Sequence, residues 1–205
     1  MKKIIFLDID GTLFNVSVFI NLFHKKLVER FGLTDKDILE LRTLYDDVKK
    51  ENGYFLPSLF LNKITKRFSS VNEKQLEEIF NNVDLFEKSV YKDTSVIKSL
   101  ADLAIFGVFS QGEEMFQKRK IAFMKNLLDD GNVHIFPDKL RQAKQVFNKY
   151  GGYEIFLVDD NLNLLTEVRS MYPNISVILI DRNDRFRDNK DMARIKDLSE
   201  LKSII

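Results

Sequence analysis

At 205 residues, with 44% hydrophobic side chains, the chain can bury a sizeable core as one domain or one domain with a modest insertion, and its 18 phenylalanines read as core volume rather than a stacking surface for bases. Thirty-two basic side chains against 31 acidic ones leave a formal charge of +1, so no long-range field favours nucleic acid or an acidic membrane as a partner. The absence of cysteine excludes disulfides and thiolate metal sites and suits the cytoplasm, and no apolar stretch approaches the roughly 20 residues of a membrane span.

The first apolar run, IIFL at 4–7, reads as a buried parallel strand and stops at Asp8, too early for an export segment. Helical spacing then takes over. Phe19, Leu22, Phe23, Leu27 and Phe31 define one helix; Ile38, Leu41, Tyr45 and Val48 define a second behind a Thr34 cap. A third starts near Pro57, and a fourth near Asn72 carries Leu76, Ile79, Phe80 and Val83. About 100 residues separate Asp8 from Ser110, whereas a strand-helix-strand unit is complete in about 30. Residues 15–88 are therefore expected to form an all-helical insertion, a cap, in a core made of 1–14 and 89–205. The core should resume at YKDTSVIKSL, with Asp93 or Thr94 capping the next helix.

Beyond it, strands are expected at 104–109, 133–136, 154–158 and 176–180, with helices at 113–128, 138–150 and 162–172 between them. The charge run DRNDRFRDNKD at 181–191 mixes both signs and reads as a solvated loop, and DLSELKSII as a last amphipathic helix. Alternating strands and helices predict a doubly wound, mostly parallel α/β sheet of Rossmann-like type.

Ligands of such sheets bind outside the carboxyl ends of the strands. The first strand ends in Asp8 and Asp10, the second in Ser110, and the fourth in Asp159 and Asp160. Gathered carboxylates repel one another unless protonated or bridged by a cation, and an all-oxygen donor set suits Mg2+ better than zinc. His24, within the inserted helices, and His134, inside a strand, read as structural. Residues two apart on an extended segment face the same side, so Asp8 and Asp10 can flank one group, and Gly11 permits a turn that a Cβ would obstruct.

DIDGT at 8–12 after a hydrophobic strand resembles the first motif of the haloacid dehalogenase-like superfamily. VFSQG resembles its second, a strand ending in Ser or Thr, and VDDN its acidic fourth, in the family's order. The resemblance implies a phosphatase with a helical cap inserted after the first strand. Asp8 would attack phosphorus to give an aspartyl-phosphate, and Asp10 would protonate the leaving oxygen and later take a proton from water. Mg2+ would be held by Asp8, the carbonyl of Asp10, Asp160 and, through water, Asp159. Substrate contacts would come from Gly11, Thr12, Ser110, Gln111 and a phosphate-binding lysine. Lys139 stands where the third motif is expected, with Lys120 and Lys118 as alternatives on the preceding helix.

One departure is visible: positions that often carry a further acid in the fourth motif hold Asn163, Leu164 and Leu165. The function expected is hydrolysis of a small phosphorylated metabolite. A phosphomutase acting on a sugar phosphate and a catalytically silent binding protein remain alternatives. The oligomeric state is not legible.

Overall fold

The computed structural model describes residues 2–188 and 191–205; Met1 and two residues of the charge run, Asn189 and Lys190, lie outside them. Strands β1 (Lys2–Leu7), β2 (Ile105–Gln111), β3 (Val133–Phe136), β4 (Tyr153–Asp159), β5 (Ser176–Ile180) and β6 (Ala193–Ile195) form one parallel sheet in the order β3-β2-β1-β4-β5-β6. Connections run outward from β1 to β3, then return to β4 and run out the other way. The reversal falls between β1 and β4, the place where such sheets open a crevice at their carboxyl edge.

β1 is buried on both faces, as a central parallel strand must be. Ile5 and Leu7 join a core shared with the helices that follow β1, whereas Ile4 and Phe6 point to the opposite face. That second face is covered by α8 (Lys139–Asn148) and α9 (Leu162–Met171), through Ala143, Val146, Phe147, Leu165 and Val168.

Between β1 and β2 lie α1 (Val16–Phe31), α2 (Asp35–Asn52), α3 (Pro57–Arg67), α4 (Glu73–Phe80), α5 (Val83–Glu87) and α6 (Ile97–Leu100). The local chemistry accounts for their starts. Thr34 and Asp37 form a reciprocal capping box on α2, Pro57 opens α3, and Asn72 accepts the Gln75 N–H at 3.1 Å at the start of α4. Phe19, Phe80, Phe86 and Phe116 interlock around α1, with Phe19 to Phe86 centroids 5.0 Å apart and Phe80 stacked on Phe116 at 5.4 Å.

Several sequence expectations need correction. The helix expected at 113–128 is α7 (Glu114–Lys120) followed by a short 3-10 turn, Ala122–Met124. Ile121, Met124 and Leu128 bury at helical spacing, but the Asp129 N–H bonds to the Phe106 carbonyl and draws the chain back to the sheet. The fourth inserted helix ends at Phe80, where Asn82 caps a new start, and Val83 faces outward. Neither Asp93 nor Thr94 caps a helix: the 3-10 segment Lys92–Val96 has no side-chain cap, and the Asp93 carboxylate accepts from Arg182 and the Leu198 N–H instead. The final helix is 3-10 (Leu198–Ser203), and the short edge strand β6 went unpredicted because three residues are too few for a visible period. Among the described residues no helix is long and apolar enough to cross a membrane.

His24, on α1, is 6% exposed and rests against Phe23. Burial, with Arg42 nearby, pushes its imidazole down to about 4. The unfolded chain binds this proton near pH 6.5 and the folded one only near 4, so stability is complete above 6.5 and declines as pH falls between those values. Allowing for hydration of the ring, the loss is on the order of 2 kcal/mol. Urea denaturation at pH 7.5 and 4.5 should show it in the wild type and should show a smaller difference in His24→Gln; an equal difference in both would assign the slope elsewhere.

Candidate active site

β1 and β4 are neighbours with Leu7 opposite Val158, so the residues after each partner, Asp8 and Asp159, leave the sheet at the same edge. The Asp8 N–H extends the ladder by one bond, 2.9 Å to the Val158 carbonyl. Asp160 follows directly. One ligating oxygen from each of Asp8, Asp159 and Asp160 lies within 4.8 Å of the other two. Asp8 and Asp159 are buried and Asp160 is half-buried.

Lys139 is the first residue of α8, behind an Asp138 cap. Its buried ammonium bridges Asp8 Oδ1 at 2.6 Å and Asp159 Oδ2 at 2.5 Å, leaving Asp8 Oδ2 outside the ion pair. Burial alone would depress the lysine, but Asp159 and Asp8 outweigh it and hold the ammonium charged beyond its ordinary range. Burial drives Asp8 the other way: together with Asp159, and against the pull of Lys139, it raises the carboxyl to about 7. Burial also raises Asp159 and Asp160, the latter with Asp8 adding to the effect. One lysine does not neutralise three carboxylates in so little water.

Asp10 turns to the other side of the same cavity. Both its oxygens accept from Lys120 Nζ, at 2.6 and 2.8 Å, and Gln117 Nε2 approaches at 3.3 Å. Lys120 is buried, which lowers its pKa, while Asp10 acts to restore it. The same Gln117 amide donates to the Gln111 carbonyl at 2.7 Å and reaches Ser110 Oγ at 3.4 Å. Ser110 is the penultimate residue of β2, opposite Ile135, and is buried, with the Gln117 amide between its hydroxyl and Asp10. Gln111 bonds to the Gly53 carbonyl at 3.2 Å, tying the sheet to the α2–α3 turn.

Gly11 has φ +81°, and a Cβ there would stand 2.5 Å from Asp160 Oδ2, so both backbone and space require glycine. Thr12 is buried and contributes its carbonyl, which accepts from Arg182 Nη2 at 2.6 Å. Arg182 also donates to the Gly11 carbonyl, pairs with Asp93 and stacks 3.7 Å from the Tyr91 centroid. The expected solvated loop at 181–191 is therefore wrong in its first half: Asp181 is fully buried, Arg182 clamps the Asp8 turn, and Arg185 pairs with Asp160 at 2.9 Å. A mixed-sign run gives no pattern from which those inward contacts could be read. Gln117 escaped notice as well, although it lies three residues before Lys120 on one helical face.

Of the three candidate lysines, Lys139 and Lys120 both reach the cavity, whereas exposed Lys118 pairs with Glu114. His134 bonds Tyr150 at 2.8 Å, away from the carboxylates, as a structural residue should. The cavity, about 250 Å3, is bounded on the sheet side by Asp8, Asp10 and Asp160 and opposite by Tyr45, Lys49 and Phe55.

No protein-family model and no curated protein matches the chain. Solved structures do. A haloacid dehalogenase-like protein from Burkholderia xenovorans LB400 superposes with TM-score 0.76 at 19% identity over 98% of both chains. The HAD-like protein YfnB of Bacillus subtilis, in a magnesium-bound crystal, gives 0.67 at 13% identity over 99% of this chain and 98% of its own. L-2-haloacid dehalogenase from Xanthobacter autotrophicus gives 0.66 at 13% identity over 100% and 98%.

Replacing Lys139 by methionine strands two buried carboxylates. Urea denaturation in EDTA at pH 8 should show a loss of about 3 kcal/mol; an unchanged midpoint would mean that the ammonium is not their counter-charge.

Proposed function

From the premise that the chain has the haloacid dehalogenase-like fold, we propose that it is a magnesium-dependent phosphoric monoester hydrolase acting on a small phosphorylated metabolite. The observation that carries this reading is the division of labour between two aspartates two residues apart: Asp8 among Asp159, Asp160 and Lys139, Asp10 with Lys120 and Gln117.

The donor set fits a hard divalent ion. It is all oxygen, its acids are under-neutralised, and Gly11 keeps Asp160 close to the turn without a Cβ between them. Asp8 and Asp160 would hold Mg2+ with the Asp10 carbonyl, Asp159 joining through water. When bound, the ion would offset the repulsion between the phosphoryl oxygens and an anionic nucleophile, which for single charges about 4 Å apart is on the order of 4 kcal/mol at an effective dielectric near 20.

The chain's own residues do the rest. Lys139 fixes Asp8 by Oδ1, so its other oxygen is free for attack. The Asp8–phosphorus bond forms as the bond to the leaving oxygen breaks, and Asp10, taking a proton from the buried Lys120 ammonium it pairs with, delivers one to that oxygen. In the second half Asp10 removes a proton from water, which attacks phosphorus and releases Asp8 as carboxylate. Lys120 and Gln117 hold Asp10 on the leaving-group side throughout. The inserted helices would shield the intermediate and read the rest of the substrate. A reducing, cytoplasmic setting belongs to the same reading.

A second reading is favoured by the structural likeness to L-2-haloacid dehalogenase, also solved with chloropropionic acid covalently bound. An alkyl halide needs no proton for its leaving group, so the Lys120-held Asp10 argues for the ester. The purified chain with Mg2+ should release phosphate from a panel of small phosphate esters. EDTA or Asp8→Asn should lower the rate at least 10^3-fold, of the size seen when a catalytic nucleophile is removed, and no halide should be released from 2-chloropropionate. Halide without phosphate would favour dehalogenation; an isomerised sugar phosphate would favour a mutase.

A further inference from the structure

A second cavity, about 420 Å3, opens within the inserted helices and lies in the size range of small-molecule pockets, about 300–1,000 Å3. It adjoins the carboxylate cavity: Tyr45, Phe55, Phe116 and Lys120 line both. Lys120 stands at the junction, bonded to Asp10 on one side and 4.5 Å from the Phe116 centroid and 5.4 Å from that of Phe14 on the other. Asp10 is the residue that would protonate the leaving oxygen, so the carbon skeleton attached to that oxygen is directed past Lys120 into this chamber. Its walls are aromatic, with Phe19, Phe60 and Phe80 presenting tilted or perpendicular rings.

The chamber also contains polar groups with nothing to hold. His24 is 6% exposed, lines the space, and forms no hydrogen bond with any described residue. Its neutral ring offers one N–H and one lone pair at physiological pH, since burial keeps it unprotonated. Arg42, an exposed residue of α2, reaches the rim of the same space. The His24 ring nitrogens stay open to the chamber, where a ligand group can replace water as their partner.

We infer that the substrate is the phosphate ester of a planar, aromatic or similarly flat apolar alcohol whose far end carries a hydrogen-bonding substituent facing His24. This assignment rests on the phosphatase reading and narrows it: short aliphatic esters would leave the aromatic walls unfilled. Recognition would combine burial of the ring against the phenylalanines with one hydrogen bond to the imidazole.

The test compares 4-hydroxybenzyl, benzyl and ethyl phosphate with Mg2+, esters whose leaving alcohols differ little in acidity. kcat/KM should be at least 50-fold higher for benzyl than for ethyl phosphate, and higher again for the 4-hydroxy compound. Asn21→Trp, on the exposed rim of the chamber, should lower the benzyl-to-ethyl ratio at least tenfold, and His24→Leu should erase the advantage of the hydroxyl. Equal turnover of all three esters would overturn the chamber assignment and leave the phosphatase reading intact. If no ester is hydrolysed, the phosphatase reading fails by itself, and the chamber is judged by ligand-detected NMR with 4-hydroxybenzyl alcohol. Binding that Asn21→Trp abolishes supports the chamber, and absence of binding to the wild type overturns it.

Discussion

Confinement of like charge governs this molecule. Two adjacent central strands of a parallel sheet end in register, and the register that pairs Leu7 with Val158 carries Asp8, Asp159 and Asp160 into one poorly hydrated corner. Such a corner can exist only if cationic groups enter it. Lys139 does so from the start of α8, Arg185 from the loop after β5, and Lys120 attends Asp10 from α7. Each comes from a different crossover, so the whole topology is needed to balance one cluster of acids.

The same constraint separates the two aspartates that follow β1. Asp8 lies in the dense part of the cluster, where burial raises its pKa and Lys139 holds one oxygen. Asp10, two residues further along, emerges beside Lys120 and the opening to the aromatic chamber. A nucleophile is best placed where a cation and a fixed orientation meet, and an acid-base group where the leaving group departs. In the proposed mechanism these roles fall to residues separated only by Ile9, and Gly11 bends the backbone between Asp10 and the Arg182 clamp so that both side chains face one cavity.

Much of this was legible in the sequence because its signals were local. The strand before Asp8, the Thr34 and Asn72 caps, Pro57 and the excess length between Asp8 and Ser110 are patterns a chain displays without its fold. Five of the six strands follow from apolar runs, whereas the strand order comes from the fold alone. What stayed hidden depends on distant partners. Arg182 and Asp181 sit in a segment of alternating charge whose burial is decided by the Asp8 turn and by Asp93, 89 residues away. Gln117 has no signature apart from its neighbours in space. The phenylalanines read correctly as core, but composition gives no hint that some of them surround an open chamber with an unpartnered His24.

The central claim is that Asp8 is the nucleophile in a cation-assisted attack, with Asp160 sharing the cation and Asp10 standing off as proton carrier. A crystal of the full chain grown with Mg2+ and beryllium fluoride tests it most directly. The account requires the fluoride adduct on the Asp8 carboxylate, with Mg2+ in contact with both Asp8 and Asp160 and the Asp10 side chain uncoordinated. An adduct on Asp10 or Asp159, or Mg2+ bound away from Asp8, would contradict it.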